Sequence, residues 1–166
     1  VTGADGRYSV SLALLEGRNN VELKVTDTSG QTLSKALTIF VDTTIPVLYL
    51  PQDYYVEAVN AQGAVVNFPL AAALDATTVA PKVIYNPVRG SIFPIGETTV
   101  NVTAMDLALN TTSRAFKVIV RDTTPPRIAP LKDIVAYSNN AVAVNYPSAT
   151  ATDAVTANPV ITHSQA

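Results

Sequence analysis

Cysteine is absent from all 166 residues, which excludes disulfide staples and thiolate metal sites. Tryptophan is absent too, and histidine occurs once, at His163. Charged residues make up only 14% of the chain and the net charge is −2. There is no basic run, so the electrostatic footprint of a nucleic-acid binder is missing. No apolar run approaches the roughly 20 residues that a membrane-spanning helix needs, so membrane insertion is not expected. Chemistry is equally thinly provided. There is no cysteine nucleophile, no serine in a nucleophile-elbow context and no glycine pattern opening a helix to cradle phosphate. An enzyme is therefore not expected.

What is present is repetition. Apolar residues make up 48% of the chain, a globular composition. The stretch Asp122-Thr123-Thr124-Pro125-Pro126 echoes Asp42-Thr43-Thr44-Ile45-Pro46, 80 residues earlier. Each copy follows a strand-like run, Leu37–Val41 before the first and Phe116–Val120 before the second. Ala64–Pro69 returns as Val142–Pro147, Asp75 as Asp153, Gly17 as Gly96 and Asp27 as Asp106, at spacings of 78 or 79. A steady period of this kind marks an array.

Along the chain, period-two alternation predicts strands over Tyr8–Leu14, Val21–Thr26, Leu37–Val41, Ala64–Phe68, Thr98–Ala104 and Ser113–Val120. Turns are expected at Gly3–Gly6, Glu16–Asn20, Asp27–Gly30 and Asp106–Asn110. Val47–Leu50, closed by Pro51, reads as an edge strand. Residues 70–74 are too short for an independent helix and read as loop. Pro87–Gly96 reads as a long loop. The alternating core is expected at Val66, Phe68, Val100, Val102, Phe116, Val118 and Val120. The fold expected is all-β: tandem immunoglobulin-like β-sandwiches, with one complete module over 43–122 flanked by half modules over 1–42 and 123–166.

These residues resemble a known family. The Asp-Thr-Thr-Ile-Pro run at 42–46, Phe68-Pro69, Asp75, the run Gly90–Val100 with its Phe93-Pro94-Ile95-Gly96 core, Ala104–Asp106 and Phe116–Val120 look like the hyalin repeat (HYR) domain. Residues 1–42 look more like the second half of a bacterial Ig-like module, marked by Gly17, Asn20, Asp27 and Gly30. The resemblance implies an Ig-like sandwich found in tandem in extracellular and adhesive proteins. It also implies a cysteine pair in animal members, near positions held here by Val102 and Ala115, and this departure points to a microbial branch.

The expected role is a structural or adhesive repeat of a secreted or cell-surface protein: a spacer, stalk or filament segment. The alternatives are a ligand-binding adhesin module and a non-catalytic accessory domain of a large secreted hydrolase. The expected partners are neighbouring modules, either of the same chain or of identical subunits whose half modules complete one another head to tail. The chain opens in mid-pattern at Val1, as a processed chain or a window on a longer one would.

Tandem arrays of this kind suggest calcium at the seams. The candidate ligands are Asp42 and Asp122, with Asp27 and Asp106 in turns that could approach a seam. The competing reading is that each carboxylate hydrogen-bonds its own turn. Tyr49, Tyr54, Tyr55 and Tyr85 are candidates for a sugar-stacking platform, set against ordinary packing. Asn101 and Asn110 match the glycosylation triplet, and only Asn110 is expected in a turn.

Overall fold

A computed structural model describes residues 9–141 and 143–164. The expected turn at Gly3–Gly6, the start of the strand at Tyr8, and Val142 lie outside them. Among the described residues there are twelve strands and no helix. The strands are β1 (Gly17–Thr26), β2 (Thr32–Val41), β3 (Val47–Tyr49), β4 (Tyr54–Glu57), β5 (Ala64–Val65) and β6 (Ala72–Leu74). They continue with β7 (Lys82–Asn86), β8 (Ile92–Phe93), β9 (Gly96–Met105), β10 (Thr111–Arg121), β11 (Arg127–Ile128) and β12 (Ala151–Thr152).

The largest sheet has the order β4-β10-β9-β7. Four two-stranded sheets accompany it: β1-β2, β3-β6, β5-β8 and β11-β12. β1 and β2 form a regular antiparallel hairpin with Gly17 opposite Val41 and Thr26 opposite Thr32. β4 pairs with β10 in parallel, Tyr54 opposite Val118 and Glu57 opposite Arg121. By backbone contacts the chain forms two compact units. One takes the described residues up to Leu48 with Ala73–Val83 and Ala104–Thr112; the other takes Tyr49–Ala72, Ile84–Thr103 and the described residues from Ser113 on.

The period-two pattern decides which side chains are inside. In β9, Val100, Val102 and Ala104 are buried while their neighbours Asn101 and Thr103 are not. In the second unit, Phe68 is fully buried and its ring meets three aromatic neighbours. The centroid distances are 5.4 Å to Tyr85, 6.2 Å to Phe93 and 5.1 Å to Phe116. Val66, Val118 and Val120 complete this core, and all seven expected core residues are buried. In the first unit the buried apolar residues include Pro46, Leu48 and Ala104.

Several local expectations need correction. Residues 72–74 form β6, because pairing with β3 supplies the hydrogen bonds that alanine and leucine would otherwise seek in a helix. The expected loop 87–96 contains β8, held antiparallel to β5 with Ala64 opposite Phe93. The strand expected to Phe68 ends at Val65, although Val66 still donates its amide to Ser91 O at 3.1 Å. Residues 9–14, expected as a strand, carry no regular element, and Val10 and Leu12 are exposed. Residues 143–147 are likewise irregular.

Candidate functional site

The turns and seams repeat in hydrogen-bond detail, not only in sequence. Asp27 donates its amide to Gln31 O at 2.9 Å and accepts at Oδ1 from Ser29 N and Gln31 N. In the next repeat Asp106 donates to Asn110 O at 3.1 Å and accepts at Oδ1 from Asn110 N at 2.8 Å. Gly30 and Leu109 occupy the same left-handed place in the two turns, at φ 84° and 72°. Asp75 and Asp153 also match. Asp75 Oδ1 accepts from Thr77 N and Thr78 N, and Asp153 Oδ1 from Val155 N and Thr156 N. These main-chain amides, Thr78 first for Asp75 and Thr156 first for Asp153, hold both carboxyls below their ordinary range. The Ser29 hydroxyl, followed by the Gln31 amide, does the same for Asp27.

Both seams are gripped by a glutamate. At the first, Glu16 accepts from Thr43 N, from Thr43 Oγ1 at 2.7 Å and from Thr44 Oγ1 at 3.4 Å. At the second, Glu57 accepts from the amides and hydroxyls of both Thr123 and Thr124, at 2.7–3.0 Å. The sequence does not advertise this clasp. The paired threonines are visible in both seams, but their glutamates come from unrelated positions, one just before β1 and one at the end of β4.

The Glu57 carboxyl is pulled down to about 2, first by the Thr123 hydroxyl and amide and then by the Thr124 hydroxyl. A depressed folded-state value means that the clasp contributes fully above the ordinary glutamate value of 4.5 and is lost as pH falls towards 2. Wild type should therefore lose more stability between pH 5 and pH 2 than Glu57→Gln does, as read by urea unfolding at each pH. The other lowered carboxyls act equally in both proteins, so parallel losses would show that the clasp contributes nothing.

Three carboxylates of the first unit converge. Asp42, Asp75 and Asp106 each offer an oxygen, and these oxygens lie within 4.8 Å of one another. Asp42 and Asp75 are half-buried, and Asp106 is only 4% exposed. Each is delivered by a connection between strands: the seam after β2, the turn after β6 and the turn after β9. Their partners are hydroxyls and amides. Thr77 Oγ1 donates to Asp42 Oδ2 and to Asp75 Oδ1. Asn110 Nδ2 donates to Asp106 Oδ2 at 2.9 Å and to Asp42 O at 3.1 Å. A cleft of about 300 Å³ reaches the group, lined by Phe40, Asp42, Thr77, Thr78, Leu107 and Ala108.

Of the four aspartates expected at seams, the structure thus brings Asp42 and Asp106 together, with Asp75 as their third member. The Asp27 carboxylate serves its own turn, and Asp122 Oδ1 accepts from Thr124 N at 3.3 Å. Both nitrogen-bound hydrogens of the Asn110 amide are used, so a glycan there would displace at least one of these bonds. The expected tyrosine platform is split. Tyr49 and Tyr55 are exposed, while Tyr85 packs against Phe68 with the ring planes tilted by 51° and accepts from Ala71 N at 2.8 Å. His163 meets the Tyr146 ring edge-on at 6.0 Å.

The sequence model of the HYR domain family matches residues 41–120. Residues 41–120 are a HYR domain. The match runs from the last residue of β2 almost to the end of β10, so Asp42, Asp75 and Asp106 all belong to this one HYR domain. The chain is also similar to hyalin of Lytechinus variegatus, 30% identical over 147 residues. That similarity covers 82% of this chain and 28% of hyalin, so the chain spans less than a third of the curated relative it matches.

Proposed function

We propose that this chain is a structural repeat segment of an extracellular or cell-surface protein, a non-catalytic spacer or stalk that carries load along tandem Ig-like modules. On this reading the complete module expected at 43–122 is the HYR domain matched at 41–120, which takes in Asp42, and the residues before and after it belong to its neighbours, which are its partners. Membership of the HYR family and the similarity to hyalin support the extracellular, adhesion-type setting.

The parallel pairing of β4 with β10 carries the proposal. β4 lies near the start of the HYR domain and β10 ends it. Tension along the chain pulls β4 back from Tyr54 and β10 forward from Arg121. In a parallel pair those two points lie at opposite ends of the ladder, so the load runs along the strands and shears all its hydrogen bonds together. Ala58 N to Arg121 O at 2.7 Å and Lys117 N to Asp53 Oδ1 at 2.8 Å extend the ladder at its two ends. The Glu57 clasp adds four hydrogen bonds to the residues that follow β10. Pulling a single chain by its two ends should give a resolved unfolding peak; extension without one would refute the load-bearing role.

A further inference from the structure

The β1-β2 hairpin repeats the β9-β10 pair of the HYR domain but not its surroundings. β1 falls on β9 and β2 on β10 at one spacing of 79, and the two turns share a hydrogen-bonded aspartate. In the HYR domain β4 lies along the outer edge of β10 and β7 along that of β9. Among the described residues no strand lies beside either outer edge of β1-β2. Positions buried in the HYR domain are bare in the hairpin. Phe116 and Ile119 of β10 are buried, whereas their counterparts Leu37 and Phe40 are 38% and 74% exposed. Ala104 of β9 is buried and its counterpart Val25 is exposed. A lone two-stranded ribbon is only marginally stable, and its free edges and apolar side chains invite a further strand.

The residues that follow the HYR domain have the opposite deficit. They repeat its early strands, and β11 pairs with β12 as β3 does with β6. Asp133-Ile134-Val135-Ala136 falls on Asp53-Tyr54-Tyr55-Val56 at the seam spacing of 80, and Val144 and Tyr146 fall on Val66 and Phe68 at 78. Residues 131–137 carry no regular element where β4 would recur. Val66 and Phe68 are buried at the centre of the core, whereas Val144 and Tyr146 are exposed. The hairpin therefore lacks the edge strand and the central ring that this later segment holds unpaired.

We infer that the β1-β2 hairpin is a docking surface for residues 131–147 of a second copy of this chain. The HYR domain supplies the register. In its parallel β4-β10 pair Tyr54 lies opposite Val118 and Val56 opposite Val120. Carried over, Ile134 of the second copy lies opposite Ile39 and Ala136 opposite Val41, as a strand added in parallel to the edge of β2. Asp53 accepts from Lys117 N in the HYR domain, and Asp133 takes the same bond from Thr38 N. Phe68 packs on Phe116 at 5.1 Å between centroids, and Tyr146 takes that place on Leu37. Each copy offers a hairpin to one neighbour and a strand to another, so the contact does not close on itself and builds open chains. The inference rests on the reading of the residues around the HYR domain as parts of neighbouring modules, and not on load bearing.

The test is sedimentation equilibrium of the 166-residue chain over a range of concentrations. The average mass should climb past that of two 17.5 kDa chains. Leu37→Asp blocks the hairpin and Tyr146→Asp blocks the strand segment. Either puts an unpaired carboxylate into the buried contact and should weaken self-association about 100-fold or more. Each variant keeps the half that the other has lost, so an equimolar mixture should form one-to-one dimers and nothing larger. A wild type that stays monomeric, a variant that assembles as wild type does, or a mixture of folded variants that stays monomeric overturns the docking. If a variant does not fold, hydrogen exchange of wild type decides: amides within residues 134–136 should gain protection as concentration rises, and unchanged protection overturns it. The unfolding force of the HYR domain is a separate readout, so failure here leaves the load-bearing role to its own test.

Discussion

Phe68→Ala should cost about 4 kcal/mol of stability, within the range for removing a buried aromatic ring from a core. Phe68 is fully buried, and its ring is the common neighbour of Tyr85, Phe93 and Phe116. Truncation removes the transfer free energy of the ring, opens a cavity and forfeits three ring–ring contacts, each worth about 0.5–1.5 kcal/mol in favourable cases. Rearrangement is restricted from two sides. Arg89 Nε donates to Phe68 O at 2.7 Å, and Tyr85 is held by the Ala71 amide. Because a whole domain is stable by only about 5–15 kcal/mol, this one change removes a large part of the margin. Urea unfolding would show it as a lower midpoint with little change in slope. A loss below about 1 kcal/mol would mean that Phe68 is not the centre of this core.

Gly63→Ala should be of similar size for a different reason. Gly63 has φ 109°, a conformation that side chains with a Cβ rarely adopt. A Cβ there would also run into the Phe93 carbonyl oxygen, with the Phe93 carbonyl carbon at 2.9 Å and Pro94 Cα at 3.0 Å. All three obstacles are backbone, so no side chain can swing aside. The collision falls at the β5-β8 pairing, where Ala64 faces Phe93, and would push apart the strands that carry Phe93 into the core. The expected loss is on the order of 3 kcal/mol or more, as for other mutations that combine backbone strain with overpacking. Gly96→Ala is the control. Its φ is also positive, at 115°, but nothing lies within 4 Å of the added Cβ. It should cost only the conformational part, about 1–2 kcal/mol. Equal effects at the two glycines would show that the close approach at Phe93 does not matter.

Gly63 also shows where sequence reading stops. Alternation in β9 and β10 marked Val100, Val102, Phe116, Val118 and Val120 as core without any coordinates, because a strand's two faces are written into its period. Nothing local in the sequence distinguishes Gly63, since the carbonyl it must accommodate is 30 residues away in the chain. Residues 70–74 misled for the same reason: local propensity says nothing about the partner strand that turns Ala72–Leu74 into β6. At the aspartate group, repetition marked Asp75 only as a position that recurs at Asp153. Its Oδ1 serves its own turn. The convergence with Asp42 and Asp106 depends on how three connections fold towards one another. Asp27 and Asp106 shared a motif, and the sequence could not tell which member of each repeated pair had companions nearby. The glutamate clasps were least legible, because similar bonds at the two seams come from dissimilar sequence positions.

The central claim is that the HYR domain bears load by shear between β4 and β10. The most direct measurement compares unfolding forces for the same domain pulled in two directions. The chain has no cysteine, so introduced thiols are unique handles. One chain is pulled through its two ends. The other is pulled through Asp53→Cys and Lys117→Cys, which lie together at one end of the pairing, where Lys117 N meets Asp53 Oδ1. The second geometry peels the ladder one bond at a time. The account predicts a markedly higher unfolding force for the first geometry than for the second. Equal forces in the two directions would contradict it.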